Sequence, residues 1–304
     1  MADKEQKPAA GVEIDAVTGQ PTTGHEWDGI KELNRPLPRW WLWTFYATIA
    51  FALVYVVLFP SIPLIHGATS GVLGYSTRAS VERSLVEARD AQKTFRDQIA
   101  ALPLEQIRSQ PELSRFAVAG GRAAFLVNCV PCHGSGAAGS KGYPNLNDDD
   151  WIWGGTLDAI HQTISHGIRS PTDEETRVSE MPTFGGANGT LTPAQIEQAA
   201  DYVLSLSGKP HDEASAKAGG VVFSENCVSC HGEKGEGNRD VGAPALNDAI
   251  WLKAGDRASI IAQITSPKMG VMPAWSGRLD PTTIKELTIY VHALGGGEAS
   301  PITQ

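Results

Sequence analysis

The run Asn128-Cys129-Val130-Pro131-Cys132-His133-Gly134 recurs as Asn226-Cys227-Val228-Ser229-Cys230-His231-Gly232. Two thiols separated by two residues, with a histidine directly after the second, form the attachment pattern for c-type haem. The thiols close thioether bonds to the haem vinyl groups and the adjacent imidazole becomes an axial iron ligand. All four cysteines of the chain lie in these two motifs, so none is left for a disulfide. The chain is therefore expected to fold around two covalently bound haem c groups. Cys129, Cys132, Cys227 and Cys230 are the attachment points, and His133 and His231 the first axial ligands. Two CxxC pairs also suit tetrahedral zinc, but these pairs lie 98 residues apart, from Cys129 to Cys227, each with a histidine that a four-cysteine site leaves unexplained. A thioredoxin-like redox pair is a weaker rival, because neither CxxC sits in a βαβ pattern.

The motifs are part of a longer internal repeat. Gly121, Phe125 and Asn128 recur as Gly219, Phe223 and Asn226. Pro144, Leu146, Asn147 and Trp151 recur as Pro244, Leu246, Asn247 and Trp251. Met181-Pro182 matches Met272-Pro273, and Pro193, Ile196, Tyr202, Val203 and Leu206 match Pro281, Ile284, Tyr290, Val291 and Leu294. The predicted order is helix, CxxCH, Gly-rich loop, helix, Met-Pro loop and terminal helix, twice over. Each copy runs to about 85–95 residues, small for an autonomous core, and a covalently held haem would supply the missing apolar filling. The fold class is mainly α: one N-terminal transmembrane helix followed by two tandem class I cytochrome c domains, at 114–208 and 214–296, with a tail at 297–304.

The second axial position is expected to fall to methionine, which raises the potential relative to stronger donors. Besides Met1 the chain has Met181, Met269 and Met272, all downstream of a CxxCH. Met181 and Met272 occupy matching positions before proline and are the candidate ligands. Met269 has no counterpart and reads as packing or surface. His161 and His166 offer a bis-histidine alternative for the first haem, although an ordinary hydrogen-bonded histidine is commoner. Trp151 and Trp251 suit the haem edge, as an indole donor towards a propionate or as plain core. Arg169, Arg177, Lys268 and Arg278 lie where they could offset propionate charge, with a solvated surface role the simpler reading for each.

Upstream, residues 1–30 are polar and without apolar periodicity, which predicts a mostly disordered leader. Residues 40–59 (WWLWTFYATIAFALVYVVLF) contain no charge, and twenty helical residues span about 30 Å, the hydrocarbon thickness of a bilayer. Trp40, Trp41 and Trp43 cluster at one end as interfacial aromatics do. The run starts too late and is too long for a signal peptide, so a retained membrane helix at 40–60 is expected. Lys31, Arg35 and Arg39 precede it and Arg78 is the first basic residue after it, which places segment 1–39 in the cytoplasm and the rest outside. Covalent haem attachment in bacteria also occurs outside the cytoplasmic membrane, so the haem domains are expected in the periplasm. In the linker at 61–113, residues 67–74 read as a flexible turn and residues 79–101 as an amphipathic helix. The formal charge of −9 and pI near 5.4 argue against nucleic acid and for a basic protein partner.

Thr23-Gly24-His25-Glu26-Trp27-Asp28-Gly29-Ile30, running into Glu32-Leu33-Asn34 and Pro38-Arg39-Trp40-Trp41, adds a signature more specific than CxxCH. With the single helix, both CxxCH motifs and Gly270-Val271-Met272-Pro273-Ala274-Trp275, the chain resembles the membrane-anchored dihaem subunit of cbb3-type cytochrome c oxidase, the FixP/CcoP type, over residues 23–296. Some members have two membrane helices, and this chain resembles the single-span branch. The resemblance implies an electron relay with no catalytic centre of its own. Electrons would pass from a soluble or membrane-bound cytochrome c to a monohaem subunit and on to the haem-copper subunit that reduces oxygen and pumps protons. The resemblance also allows the cytochrome bc1 complex as a further partner in a supercomplex. The resemblance leaves open whether each methionine serves its own haem or the other domain's, whereas the repeat alone suggests its own. The competing functions are a free-standing membrane-tethered shuttle and a dihaem peroxidase, which the matched Met-Pro loops disfavour.

Overall fold

Residues 13–253 and 255–299 are described by the computed structural model, divided between Arg89 and Asp90 into two units. In the first, strands β1 (Thr22–Trp27) and β2 (Ile30–Leu33) pair antiparallel, with Trp27 opposite Ile30. The polar composition of this stretch predicts no structure, yet Asp28 and Gly29 both take positive φ, 50° and 84°, the backbone of a tight hairpin turn. An Asp-Gly pair reaches that conformation at little cost, and it overrides the lack of apolar periodicity. Residues 1–12 of the expected leader lie outside the described residues.

Helix α1 (Arg39–Leu58) follows, with no buried residue. It is the one helix among the described residues long and apolar enough to cross a membrane, by length and composition. A small hairpin, β3 (Pro63–Leu64) with β4 (Gly67–Ala68), then returns the chain to the helix end. There the Val72 and Leu73 N–H groups donate to the Val57 and Leu58 carbonyls at 2.9 and 3.1 Å, satisfying acceptors a helix terminus leaves free. Gly71 is required at this turn: its φ is +67°, and a Cβ would overlap the Leu58 carbonyl. Helix α2 (Thr77–Ala101) begins in this unit and continues from Asp90 into the second.

The second unit adds α3 (Leu104–Ser109), α4 (Pro111–Asn128), the single turn α5 (Val130–His133) and α6 (Leu157–His166). It continues with α7 (Pro193–Leu206), α8 (Glu213–Asn226), the single turn α9 (Val228–His231), α10 (Arg257–Thr265) and α11 (Pro281–His292). The starts are written locally. Thr156, Thr192, Asp212, Asp256 and Asp280 each accept the N–H three residues on, and proline opens α4, α7 and α11. The repeated element order matches the predicted one; α3 has no counterpart in the repeat.

The packing partners are exchanged. Helix α4, leading into the first CxxCH, crosses α11 from the end of the second repeat, while α8, leading into the second CxxCH, crosses α7 from the end of the first. Both crossings are tight at glycine: a Cβ on Gly121 would overlap the Glu286 carbonyl, and one on Gly219 the Gln198 carbonyl. An aromatic pair seals each, Phe125 with Tyr290 at 5.4 Å and Phe223 with Tyr202 at 5.0 Å between ring centres. One core thus joins Phe125, Ile160, Ile164, Ile284, Leu287 and Val291, and another Ile196, Val203, Phe223, Ile260 and Ile264. The segments between helices must cross. The stretch after α6 reaches the end of α10, where Phe184 and Gly185 N–H donate to the Ile264 and Thr265 carbonyls. The stretch after α10 returns to the end of α6, where the Trp275 N–H meets the Ile164 and Ser165 carbonyls.

A third core, with Ile99, Ile107, Leu113, Leu157 and Ile289, holds the end of α2 and all of α3 against the first of these assemblies. Arg96 reaches the Asp280 carboxylate at 2.7 Å and the buried Glu286 at 3.2 Å, and Lys285 donates to the Ile99, Ala100 and Leu102 carbonyls at the end of α2. The equivalent of Glu286 on α7 is the neutral Gln198. That crossing instead buries Asp201, bound by Arg257 at 2.8 and 2.9 Å and by Ser215 at 2.6 Å, which holds its carboxyl below the usual range.

Two outcomes follow from the first crossing. Gly121→Ala forces α4 and α11 apart and is expected to cost about 1–3 kcal/mol, read as a lowered thermal midpoint. Burial pushes the Glu286 carboxyl from 4.5 up to about 7, Arg96 drawing it back and Asp280 adding to the rise. Between those values the unfolded chain ionises and the folded one does not, so this group makes the fold less stable as pH rises across the window. Glu286→Gln removes the titration. The stability of wild type minus variant is expected to fall by roughly 3 kcal/mol from pH 4.5 to 7 in denaturant unfolding, and to level off above.

Candidate functional site

Each CxxCH sits on one helical turn set off from the preceding helix by its first cysteine. Cys129 and Cys227 cap α4 and α8 in helical backbone, and their N–H groups donate to the Phe125 and Phe223 carbonyls, so the crossing helices aim the motifs. Cys129 and Cys227 are half-buried, Cys132 and Cys230 exposed, and none is paired in a disulfide. Burial, then the neighbouring cysteine, pushes the Cys129 and Cys227 thiols up to about 11. Among the described residues no cluster of three or more His, Cys, Asp or Glu is gathered to hold a bare ion, so the four-cysteine zinc arrangement is not formed.

His133 Nδ1 lies 3.1 Å from the Pro144 carbonyl and His231 Nδ1 3.0 Å from that of Pro244. A carbonyl only accepts, so Nδ1 carries the proton and Nε2 keeps its lone pair, the arrangement an iron ligand needs. Burial lowers both imidazole pKa values, which favours the neutral ring. The repeated prolines of the Gly-rich loops are thereby explained: they place the carbonyl that orients each histidine.

Both motifs open into one cavity of about 600 Å³, walled by Phe125, His133, Met272 and Leu287 on one side and Phe223, His231, Met181 and Ile264 on the other. The helix exchange decides which methionine goes where. Met272 packs on the core that contains Phe125, Cys129 and Val130, and Met181 on the core that contains Phe223, Cys227 and Val228. Each thus stands beside the motif of the other repeat. Met269 also lines the cavity and is exposed at its rim. His161 and His166 are not among the lining residues. His166 is instead held by Asp173 at 3.2 Å and Glu175 at 3.3 Å.

The cavity wall suits a flat apolar group with carboxylate arms. Its apolar faces come from the two cores, and Arg169, Lys253 and Lys268 line it together, close enough that both other cations, after burial, lower the Lys253 pKa. Trp251 Nε1 is buried with no hydrogen-bond partner, an orphan donor that a bound carboxylate would satisfy. Its repeat mate is spent: Trp151 Nε1 donates to the Gly296 carbonyl at 2.6 Å. Of the other basic candidates, Arg177 bonds the Trp153 carbonyl and Gln162, and Arg278 stacks over Trp275. The sequence reading missed Lys253. It also missed Asp150, a cavity-lining carboxyl that burial, Asp248 and Asp148 push up to about 6. No motif marks either residue, although Asp150 stands in the visible run Asp148-Asp149-Asp150.

Comparison with known proteins agrees along the chain. The family described as the N-terminal domain of cytochrome oxidase-cbb3, FixP, matches residues 19–66. The family described as cytochrome c oxidase, cbb3-type, subunit III, matches residues 116–203 and 214–291. A cbb3-type cytochrome c oxidase subunit FixP of Rhizobium etli is 56% identical over 284 residues, covering 93% of this chain and 98% of that protein. The subunit CcoP of Cereibacter sphaeroides is 54% identical over 278 residues, 91% of this chain and 96% of that protein. A FixP of Rhizobium meliloti is 52% identical over 298 residues, 98% of this chain and all of that protein.

Proposed function

Because the chain belongs to the FixP/CcoP family of cbb3-type cytochrome c oxidase subunits, we propose that it is the membrane-anchored electron-transfer subunit of such an oxidase, carrying two haem c groups in the cavity that both motifs line. The single observation that carries this reading is that cavity, which both CxxCH turns and both repeat-matched methionines line together. Haem c supplies a reversible one-electron centre whose potential the protein sets through ligands, burial and hydrogen bonds.

The chain's residues do the holding. Cys129 and Cys132 anchor one group and Cys227 and Cys230 the other, with His133 and His231 presenting Nε2 to the irons. Met272 serves the site of His133 and Met181 that of His231, a reading that the crosswise packing supports. Trp251 Nε1, with Arg169, Lys253 and Lys268, receives carboxylate arms. Residues of both motifs line the same cavity, so the groups they would hold would stand side by side and would exchange electrons with no protein core between them. No bond chemistry is required of any side chain.

The basic approach Lys31, Arg35 and Arg39 sets the N-terminus in the cytoplasm and the second unit in the periplasm. Asp148, Asp149, Asp150 and Asp248 stand together, with Asp150 on the cavity wall, and steer a basic cytochrome c donor. Electrons leave to a monohaem subunit and the haem-copper subunit, with the cytochrome bc1 complex as a further neighbour. Mild detergent extraction followed by purification through this chain is expected to bring a haem-copper subunit with it. A lone protein would favour the free shuttle, and hydrogen peroxide turnover by the isolated subunit would favour the peroxidase.

The ligand assignment has its own outcome. Met272→His is expected to keep covalent haem and lower the potential of the group on Cys129 and Cys132 alone, and Met181→His that of the group on Cys227 and Cys230 alone. Redox titration with optical spectra, read against single-site CxxCH variants, checks this; unchanged potentials would remove the methionines as ligands.

A further inference from the structure

Arg169 is one of three non-glycine residues in the described chain with positive φ, at 53°. A left-handed backbone is unfavourable for a residue with a Cβ and persists where the surroundings hold it. Here its main-chain N–H donates to the Arg177 carbonyl at 2.8 Å, and the preceding residue, Ile168, exchanges N–H···O bonds of 2.9 and 3.0 Å with Met272. The side chain leaving this turn reaches both crossing segments. Nε donates to the Gly270 carbonyl at 2.7 Å and Nη1 to the Ser179 carbonyl at 2.9 Å. Gly270 stands two residues before Met272 and Ser179 two residues before Met181. One rigid, planar fork therefore ties together the two segments that carry the methionines.

We propose that Arg169 is a positioning residue for both axial methionines, a shared clamp that sets the two sulfur positions together. The proposal rests on the crosswise ligand assignment given above. Its fork geometry matters as much as its charge, because Lys253 and Lys268 already place cations on the same wall. A lysine at this position has a single ammonium on a flexible stem and does not reproduce two fixed N–H···O bonds. Loosening the clamp releases both sulfurs at once, so the two haems respond as a pair to a change at one residue.

The test uses the full haem-loaded chain in detergent. Midpoint potentials are read for each haem, together with the weak far-red absorption that ferric iron shows only with methionine sulfur bound. Arg169→Met and Arg169→Lys are both expected to lower both potentials and to lose far-red absorption at both haems. The Arg177 side chain bonds Trp153, Ala159 and Gln162 and neither methionine segment among the described residues, so Arg177→Gln is expected to leave both unchanged. Wild-type behaviour in Arg169→Lys would show that charge alone acts, and a change at one haem or neither would overturn the shared clamp. Met181→His and Met272→His, measured alongside, separate the two ideas. If each moves one haem while the Arg169 variants move none, the clamp fails and the ligands stand. If neither moves any haem, the ligand assignment fails and the clamp with it.

Discussion

The close crossing of two helices, made twice, is the contact on which the second unit depends. At Gly121 and Gly219 the backbones approach until a single methyl group would strike the opposite carbonyl, and Phe125 with Tyr290, or Phe223 with Tyr202, closes the contact. Each crossing aims a CxxCH turn, because the N–H of its first cysteine is bonded to the same phenylalanine residue that packs the crossing. The helix closing each crossing comes from the other repeat. The segments after α6 and α10 must then exchange places, and the methionines travel with them. Met272 beside Cys129 and Met181 beside Cys227 are consequences of where α11 and α7 dock.

Two nearly equivalent crossings become inequivalent through their buried charges. The first buries Glu286, whose carboxyl burial makes hard to ionise, and is covered by α2 and α3 through Arg96 and Lys285. The second has Gln198 at that point and buries Asp201 instead, kept ionised by Arg257. The indoles differ in the same sense: Trp151 is satisfied by the main chain at Gly296, and the buried Trp251 donor has no partner. A duplicated motif thus stands in two electrostatic settings.

Much of this was legible from residues alone. The CxxCH turns, the order of helices in the repeat and the apolar run of α1 are all local patterns, and each is found where periodicity and spacing put it; the Met-Pro pairs, which the repeat alone put beside their own motifs, stand beside each other's. The hairpin at Thr22–Trp27 and Ile30–Leu33 was not read, because residue composition outweighed the Asp28-Gly29 turn signal. Arg169 was visible only as one of several basic residues. Its left-handed backbone and its two carbonyl partners come from segments brought together by the fold, and no spacing in the chain announces them.

The sequence by itself determined the local patterns: the CxxCH motif, its occurrence in two equivalent segments, and a membrane-length helix ahead of them. Those features are set by covalent reactivity and by periodicity within one element, which need no neighbour. Which terminal helix closes which crossing was decided only in three dimensions. The two halves repeat the same glycine, phenylalanine and tyrosine, so either α7 or α11 satisfies the local contact with α4, and the repeat cannot choose between them. The choice falls to contacts the repeat does not share, among them Arg96 and the end of α2 docking on Glu286, Asp280 and Lys285 of α11.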